Sequence, residues 1–283
     1  MQSRGRLRLT RDSMRKKLIF FIYIGDERTP QQRHDEGFVA KIHFYCLKKY
    51  RNVFNEAKFV LSVKPELIGN AKLISSYVEY IMSLGYYENT EFKVDENTFL
   101  RESKTLYEEI LESDVNDNRF VFFGHLRGES VDSEDVARWV FSNYYYSMSR
   151  EWEITYWLSE NNKVFYGFPL TDCRQTEGRP VEVLPFNRFF FLGSTYWINV
   201  SLLKDVMKTR NMKKPRMIGR FFSENFPGNV ASYELVSTAA YTACETGWDP
   251  YSQFDLMLEE WSYRSGLSLD EFNEEYEKAK SGV

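Results

Sequence analysis

The sequence predicts a mixed α/β fold built on a mainly parallel sheet, and three observations predict it. Apolar runs within Lys17 to Ile24, Lys58 to Val63 and Phe120 to Phe123 are too short for helices and lack the alternation of half-solvated strands. Between them lie segments whose apolar residues recur at helical spacing. Strand and helix then alternate through the first half of the chain, the order of parallel strands joined by crossover helices.

Taken in order, Lys17 to Ile24 reads as the first buried strand, ended by Gly25 and Asp26. Val39, Ile42, His43, Cys46, Leu47 and Tyr50 mark one face of a helix. A strand at Lys58 to Val63 is closed by Lys64 and Pro65. The next helix carries Ile74, Tyr77, Val78, Ile81 and Met82 and stops at Gly85. A short strand at Glu91 to Val94 precedes a helix from Leu100 to Leu111, and Phe120 to Phe123 forms the following strand. Asp132 and Ser133 are candidate caps for a helix with Val136, Trp139, Val140 and Asn143. Glu151 to Leu158 predicts a helix, Val164 to Gly167 a strand, Asp172 to Pro180 a loop and Phe189 to Leu192 a strand. Helices are expected to begin at Tyr196 and to cover Tyr233 to Cys244 and Phe254 to Tyr263. Leu269 to Lys280 predicts a charged, mostly solvated helix. No repeat or linker divides the chain. The expected organisation is a basic arm at 1–16 and a single domain at 17–283, with halves at 17–130 and 131–250 and C-terminal helices at 251–283.

Composition narrows the function. The 283 residues carry a net charge of −4, which gives no global signature for nucleic acid. Basic residues crowd the start, from Arg4 to Lys17, as an arm suited to phosphate or to peripheral contact with an anionic membrane. The apolar run after it is short and meets no small-residue cleavage site. No stretch approaches the roughly 20 apolar residues of a membrane span. Cys46, Cys173 and Cys244 lie far apart without metal-type spacing, which fits a reducing, cytoplasmic setting. Three histidines argue against a histidine-rich metal site. P-loop, G-x-G-x-x-G and G-x-S-x-G motifs are absent, against NTPase, dinucleotide and serine-hydrolase chemistry. Aromatic residues make up 17% of the chain, which supplies core volume and also surfaces that grip bases and sugar rings.

The segment Phe120 to Glu129 (F-V-F-F-G-H-L-R-G-E) is the most informative. A buried strand opens there into His125 and Arg127, flanked by Gly124 and Gly128. Ligands in open α/β sheets bind outside the carboxyl ends of strands. Glycine lets a ligand approach the backbone, and arginine is a fork for phosphate. A helix beginning a few residues later adds N–H donors, so a diphosphate fits without a metal. A tight turn with a salt-bridged Arg127 and a core His125 accounts for the same residues.

This segment resembles the H-[ST]-K-G motif that ends a central strand in a group of bacterial and viral glycosyltransferase-like proteins. Asn97 to Ile110 is similar to the upstream R-E-[ST]-x-T helix of that group, and Arg138 and Trp139 to its W-R position. Phe191 to Ile198 resembles an F-S-G-N-[FY]-W-W block, and Arg220 to Gly228 a late segment built around an acid. The chain departs at Leu126, Arg127, Ser194, Thr195 and Tyr196. The resemblance implies a Rossmann-like GT-A-type core that binds a nucleotide sugar, UDP- or GDP-linked, at the carboxyl edge of its sheet and passes the sugar to a glycan acceptor. For that chemistry Arg127, supported by His125, is the candidate for the charge of the leaving diphosphate, and Glu224 is the candidate base because it sits in a Pro/Gly-bounded turn after a basic stretch, with Glu234 and Asp249 as rivals. Asp26, at the end of the first strand, Arg101, at the start of a helix near the same sheet edge, and Gly124 and Gly128 are the candidate donor contacts, and Gly193, Tyr196 and Trp197 a candidate acceptor platform. Core packing is the competing role for Trp197. The D-x-D metal motif has no clear counterpart, which leaves a divalent cation, manganese or magnesium, open. A basic run from Arg210 to Arg220 reads as a connector or as a loop that closes on the diphosphate. Two rival functions remain: a non-catalytic α/β module that binds a glycan or a protein, and a nucleotidyltransferase-like enzyme.

Overall fold

The computed structural model describes residues 14–97, 108, 119–126, 132–160, 165–167, 170–172, 189–191, 195–204, 258–259, 262–263 and 265–282. Strands are β1 (Arg15–Ile24), β2 (Glu56–Val63), β3 (Thr90–Glu96), β4 (Arg119–His125), β5 (Phe165–Gly167), β6 (Leu170–Asp172), β7 (Phe189–Phe191) and β8 (Tyr196–Asn199). Helices are α1 (Pro30–Glu36), α2 (Phe38–Tyr50), α3 (Ala71–Ser83), α4 (Glu134–Met148), α5 (Glu151–Glu160) and α6 (Leu269–Ser281).

One six-stranded sheet has the order β3-β2-β1-β4-β8-β5, and β6 and β7 form a separate antiparallel pair. β3, β2, β1 and β4 are parallel, whereas β8 runs antiparallel to both β4 and β5. The fold is therefore α/β, with a mixed, mostly parallel sheet flanked by helices.

β1 is central, and from Lys16 to Ile24 only Tyr23 is exposed. Its continuous apolar run follows from burial on both faces. In register, Phe20 sits between Phe59 of β2 and Gly124 of β4. On one face α2 and α4 pack together over the sheet. His43 of α2 lies edge-on to Phe20 and to Tyr144, with its Nδ1 2.8 Å from the Tyr144 hydroxyl. Phe122 contacts both Tyr144 and Trp197. The Trp197 indole donates to the Ser147 carbonyl of α4 at 2.8 Å, which satisfies its one polar group. Each such buried aromatic contributes about 1.5–3 kcal/mol from area alone.

Caps follow the sequence with one exchange of roles. Ser133 accepts from Val136 N and caps α4. Asp132 instead reaches α2, accepting from Phe38 N at 3.2 Å and Val39 N at 2.8 Å. Gly37 precedes α2 and has no side chain to cap it, so a residue far along the chain supplies the acceptor.

Two expectations are corrected and a third is extended. Residues 196–199 are strand β8, and helix begins only at Val200. Tyr196, Trp197 and Ile198 suit a pleated, buried surface and pair with Phe123, Phe122 and Val121. The C-terminal helix α6 is mostly solvated, as expected, but it is also docked, because Phe272, Tyr276 and Ala279 form a buried face. Phe272 meets Phe141, Tyr145 and Tyr146, and the Tyr276 hydroxyl donates to the Glu134 carbonyl. The ion pair of Lys49 with Glu275 ties α6 to α2. Finally, β1 starts at Arg15, so Lys16 belongs to the sheet and not to the basic arm. Its ammonium is buried, paired with Glu151 at 3.2 Å and held over Trp152.

Apart from Glu108, the expected helix at 100–111 lies outside the described residues, as do the expected helix at 233–244, most of the loop 172–180 and the arm 1–13. Among the described residues no helix is long and apolar enough to cross a membrane.

Candidate functional site

The strand order reverses between β1 and β4, because the chain builds β1, β2 and β3 outward and then returns to place β4 on the other side of β1. In open α/β sheets the crevice beyond the carboxyl ends of such strands is where ligands bind. β4 ends at His125, paired in register with Phe21, and Leu126 N donates to the Phe21 carbonyl. β1 continues three residues further, to Ile24, where the Lys64 amide closes against its carbonyl. The end of β1 thus stands proud of β4.

On that overhang sits a compact charged cluster. Asp26 accepts from Arg28 N at 3.0 Å and from the Arg28 guanidinium at 3.1 and 2.8 Å. The buried Arg33, in α1, reaches Asp26 at 3.2 Å and the Tyr23 carbonyl at 3.2 Å. Arg33 also lies over the Tyr77 ring, and the Tyr77 hydroxyl donates to the Arg28 carbonyl at 3.0 Å. Thr29 and Gln32 form a capping box that fixes the turn into α1. Partial burial pushes the Asp26 carboxyl upward, but the hydrogen bonds from Arg28 and the charges of Arg33 and Arg28 outweigh it and hold the group at about 2. Asp26 is a permanent anion at neutral pH with 43% of its side chain exposed, so a ligand can reach it.

Tyr23 is the neighbouring feature. Its ring is 43% exposed on an otherwise buried strand and lies directly over Gly25, where any Cβ would collide with it. An exposed aromatic face beside an ionised carboxylate is a pair suited to a heterocyclic base and a hydroxyl or N–H donor.

Of the residues singled out from the sequence, Asp26 and His125 reach this edge. His125 is half-buried at the end of β4, with its ring 6.4 Å from that of Phe123. Gly124 has another task. A Cβ there would come within 3.0 Å of the Phe20 ring, so its missing side chain makes room for core packing. Tyr196 and Trp197 are buried in β8 at 1% and 0% exposure, and neither ring is open to a sugar. Their burial follows from pairing β8 into the sheet, and for Trp197 it matches the core role set beside the platform. Arg101, Arg127, Gly128, Gly193 and Glu224 lie outside the described residues, as do Glu234 and Asp249.

Tyr23, Arg28, Arg33 and Asp132 were not singled out as site residues from the sequence. The Asp-x-Arg spacing at Asp26 and Arg28 is a local signal that names one of them, since the side chains meet across one turn. Arg33 and Asp132 carry no such signal, because their partners are set by tertiary packing. Among the described residues no group of three or more His, Cys, Asp or Glu is placed to hold a metal ion. Compared with known proteins, the chain matches no family model and no curated relative.

Proposed function

We propose that the chain is a nucleotide-sugar-dependent glycosyltransferase with a GT-A-like core, acting from a UDP- or GDP-linked donor on a glycan or glycoconjugate. The observation that carries this reading is the strand order. Four parallel strands ordered 3-2-1-4 are followed by an antiparallel strand inserted beside β4, and an ionised Asp26 and an exposed Tyr23 stand at the reversal point. The motif resemblance from Phe120 to Glu129 falls on the same edge, since β4 ends at His125.

In this mechanism the Tyr23 ring stacks on the nucleotide base and Asp26 accepts from the base or the ribose. Arg127 and His125 stabilise the charge that grows on the leaving diphosphate. The acceptor hydroxyl oxygen attacks the anomeric carbon while the carbon–oxygen bond to phosphate breaks. The nucleoside diphosphate leaves with the bonding pair, and Glu224 takes the hydroxyl proton.

The test is a binding and turnover panel of UDP-, GDP-, CMP- and TDP-sugars, with and without manganese, on wild type and Arg127→Ala. One nucleotide class is expected to bind and to be turned over. Arg127→Ala is expected to lose about 2–3 kcal/mol of donor or transition-state binding. Folded protein that binds no nucleotide sugar would turn the reading to a glycan- or protein-binding module.

A further inference from the structure

At the opposite end of the strands lies a cleft of about 610 Å³, between the turn that follows α2, the start of β2 and the connection from α3 to β3. That volume falls within the roughly 300–1,000 Å³ typical of ligand sites. We infer that this cleft binds a neutral oligosaccharide, on a face separate from the edge where Asp26 lies. The inference stands on the cleft's own residues and does not depend on the transferase reading.

Its walls are fixed by the body of the protein. Asn55 accepts from Lys16 N at 2.8 Å through its side chain, and its own N–H donates to the Lys16 carbonyl at 2.8 Å. Ala57 N donates to the Asn89 carbonyl at 3.0 Å, and Asn89 itself holds a left-handed conformation at φ 54. Gly85, at φ 98, leaves the space that the Arg51 guanidinium occupies. The buried Tyr86 anchors the connection through its hydroxyl, which donates to the Leu47 carbonyl at 3.0 Å.

On those fixed walls the side chains of Asn52, Tyr87 and Glu88 make no hydrogen bond or ion pair with the described residues. Tyr87 is 62% exposed, a flat apolar face with a hydroxyl at its end. Sugar rings present one apolar C–H face and a rim of hydroxyls that both donate and accept. An open tyrosine face meets the first, and asparagine amide, carboxylate and guanidinium groups meet the second. The lining carries Arg51 together with Glu56 and Glu88, so no single sign of charge dominates it. Glu56 is further held by Arg119 at 3.6 Å. The eight residues of β2 separate the cleft from the carboxyl edge by about 25 Å, at about 3.3 Å per residue. A glycan held here is therefore bound apart from any ligand at Asp26, as an anchored chain.

The experiment titrates the full chain with neutral trisaccharides of glucose, mannose, galactose and N-acetylglucosamine, followed by ligand-observed NMR. Tyr87→Ala and Asn52→Ala are compared with wild type, and circular dichroism verifies that each is folded. At least one trisaccharide is expected to saturate, and Tyr87→Ala to weaken it about tenfold. Absence of saturation by every trisaccharide at about 10 mM, well above a millimolar dissociation constant, would overturn the inference. So would binding that survives both substitutions, or saturable binding of inorganic phosphate at the cleft in place of sugar.

Discussion

At the carboxyl edge of the sheet, Asp26, Arg28 and Arg33 are bonded to one another and to the backbone, whereas at the amino edge Asn52, Tyr87 and Glu88 stand exposed on a locked backbone. Both edges belong to the same buried strands, so the difference is not one of rigidity. It lies in whether the polar groups already have partners. A carboxylate held ionised by two arginines is fixed in position before any ligand arrives, and a ligand adds to its contacts. An uncommitted amide or ring gains its partner only from the ligand. Substitutions at the carboxyl edge should therefore change stability and binding together, and those of the uncommitted amino-edge side chains Asn52, Tyr87 and Glu88 binding alone.

The largest expected effect falls on neither edge. Trp197→Ala removes a fully buried indole that packs on Phe122 and Phe54 and bonds to Ser147. It should cost about 3–5 kcal/mol in urea unfolding and weaken both edges, because both hang on this sheet. A loss confined to one edge would show that the two are not supported by one core.

Arg33→Met comes next and sharpens the carboxyl side of the comparison. The methionine fills the buried stem but releases the Tyr23 carbonyl and Asp26, at a cost of about 1–3 kcal/mol. Gly85→Ala is the amino-edge counterpart. It forces a side chain into a positive φ and into the space of Arg51, and should cost about 1 kcal/mol or more.

Asp26→Asn has the smallest expected effect, because the group is 43% exposed and solvent screens its pairs. Its sign with pH is fixed. The folded carboxyl titrates at about 2 against an ordinary 3.8, so its contribution is present above pH 3.8 and is lost as pH falls towards 2. The gap in unfolding stability between wild type and Asp26→Asn should therefore close across that window. A gap that is constant through it would mean that the charge of Asp26 is not what holds the turn.

Most of the parallel half of the sheet is legible in the sequence because β1, β2 and β4 carry unbroken apolar runs, whereas the partly exposed edge strand β3 carries only Phe92 and Val94. β1, β2, β3 and β4 were each placed within a few residues of their bounds. Helices α2, α3, α4 and α5 were read from spacing, which reports one buried face directly. β8 was misread as the start of a helix, since four residues give too little length to separate period 2 from period 3.6. The buried face of α6 was hidden by its charge: Phe272, Tyr276 and Ala279 are a narrow stripe among acids and lysines. At the site, Asp26 and His125 were reachable because both end a recognisable strand. Tyr23 was not, because nothing local distinguishes an exposed aromatic from its buried neighbours in an apolar strand. The amino-edge cleft was equally hidden, being formed by two connections brought together only by the sheet.

The most direct test of the central claim is chemical-shift mapping on isotope-labelled full chain titrated with the nucleotide sugars. The account predicts that the responding class moves the resonances of Tyr23, Asp26, Arg28 and His125 and leaves 51–56 and 85–90 unchanged. Shifts confined to the amino-edge residues, or none with any nucleotide sugar, would contradict it.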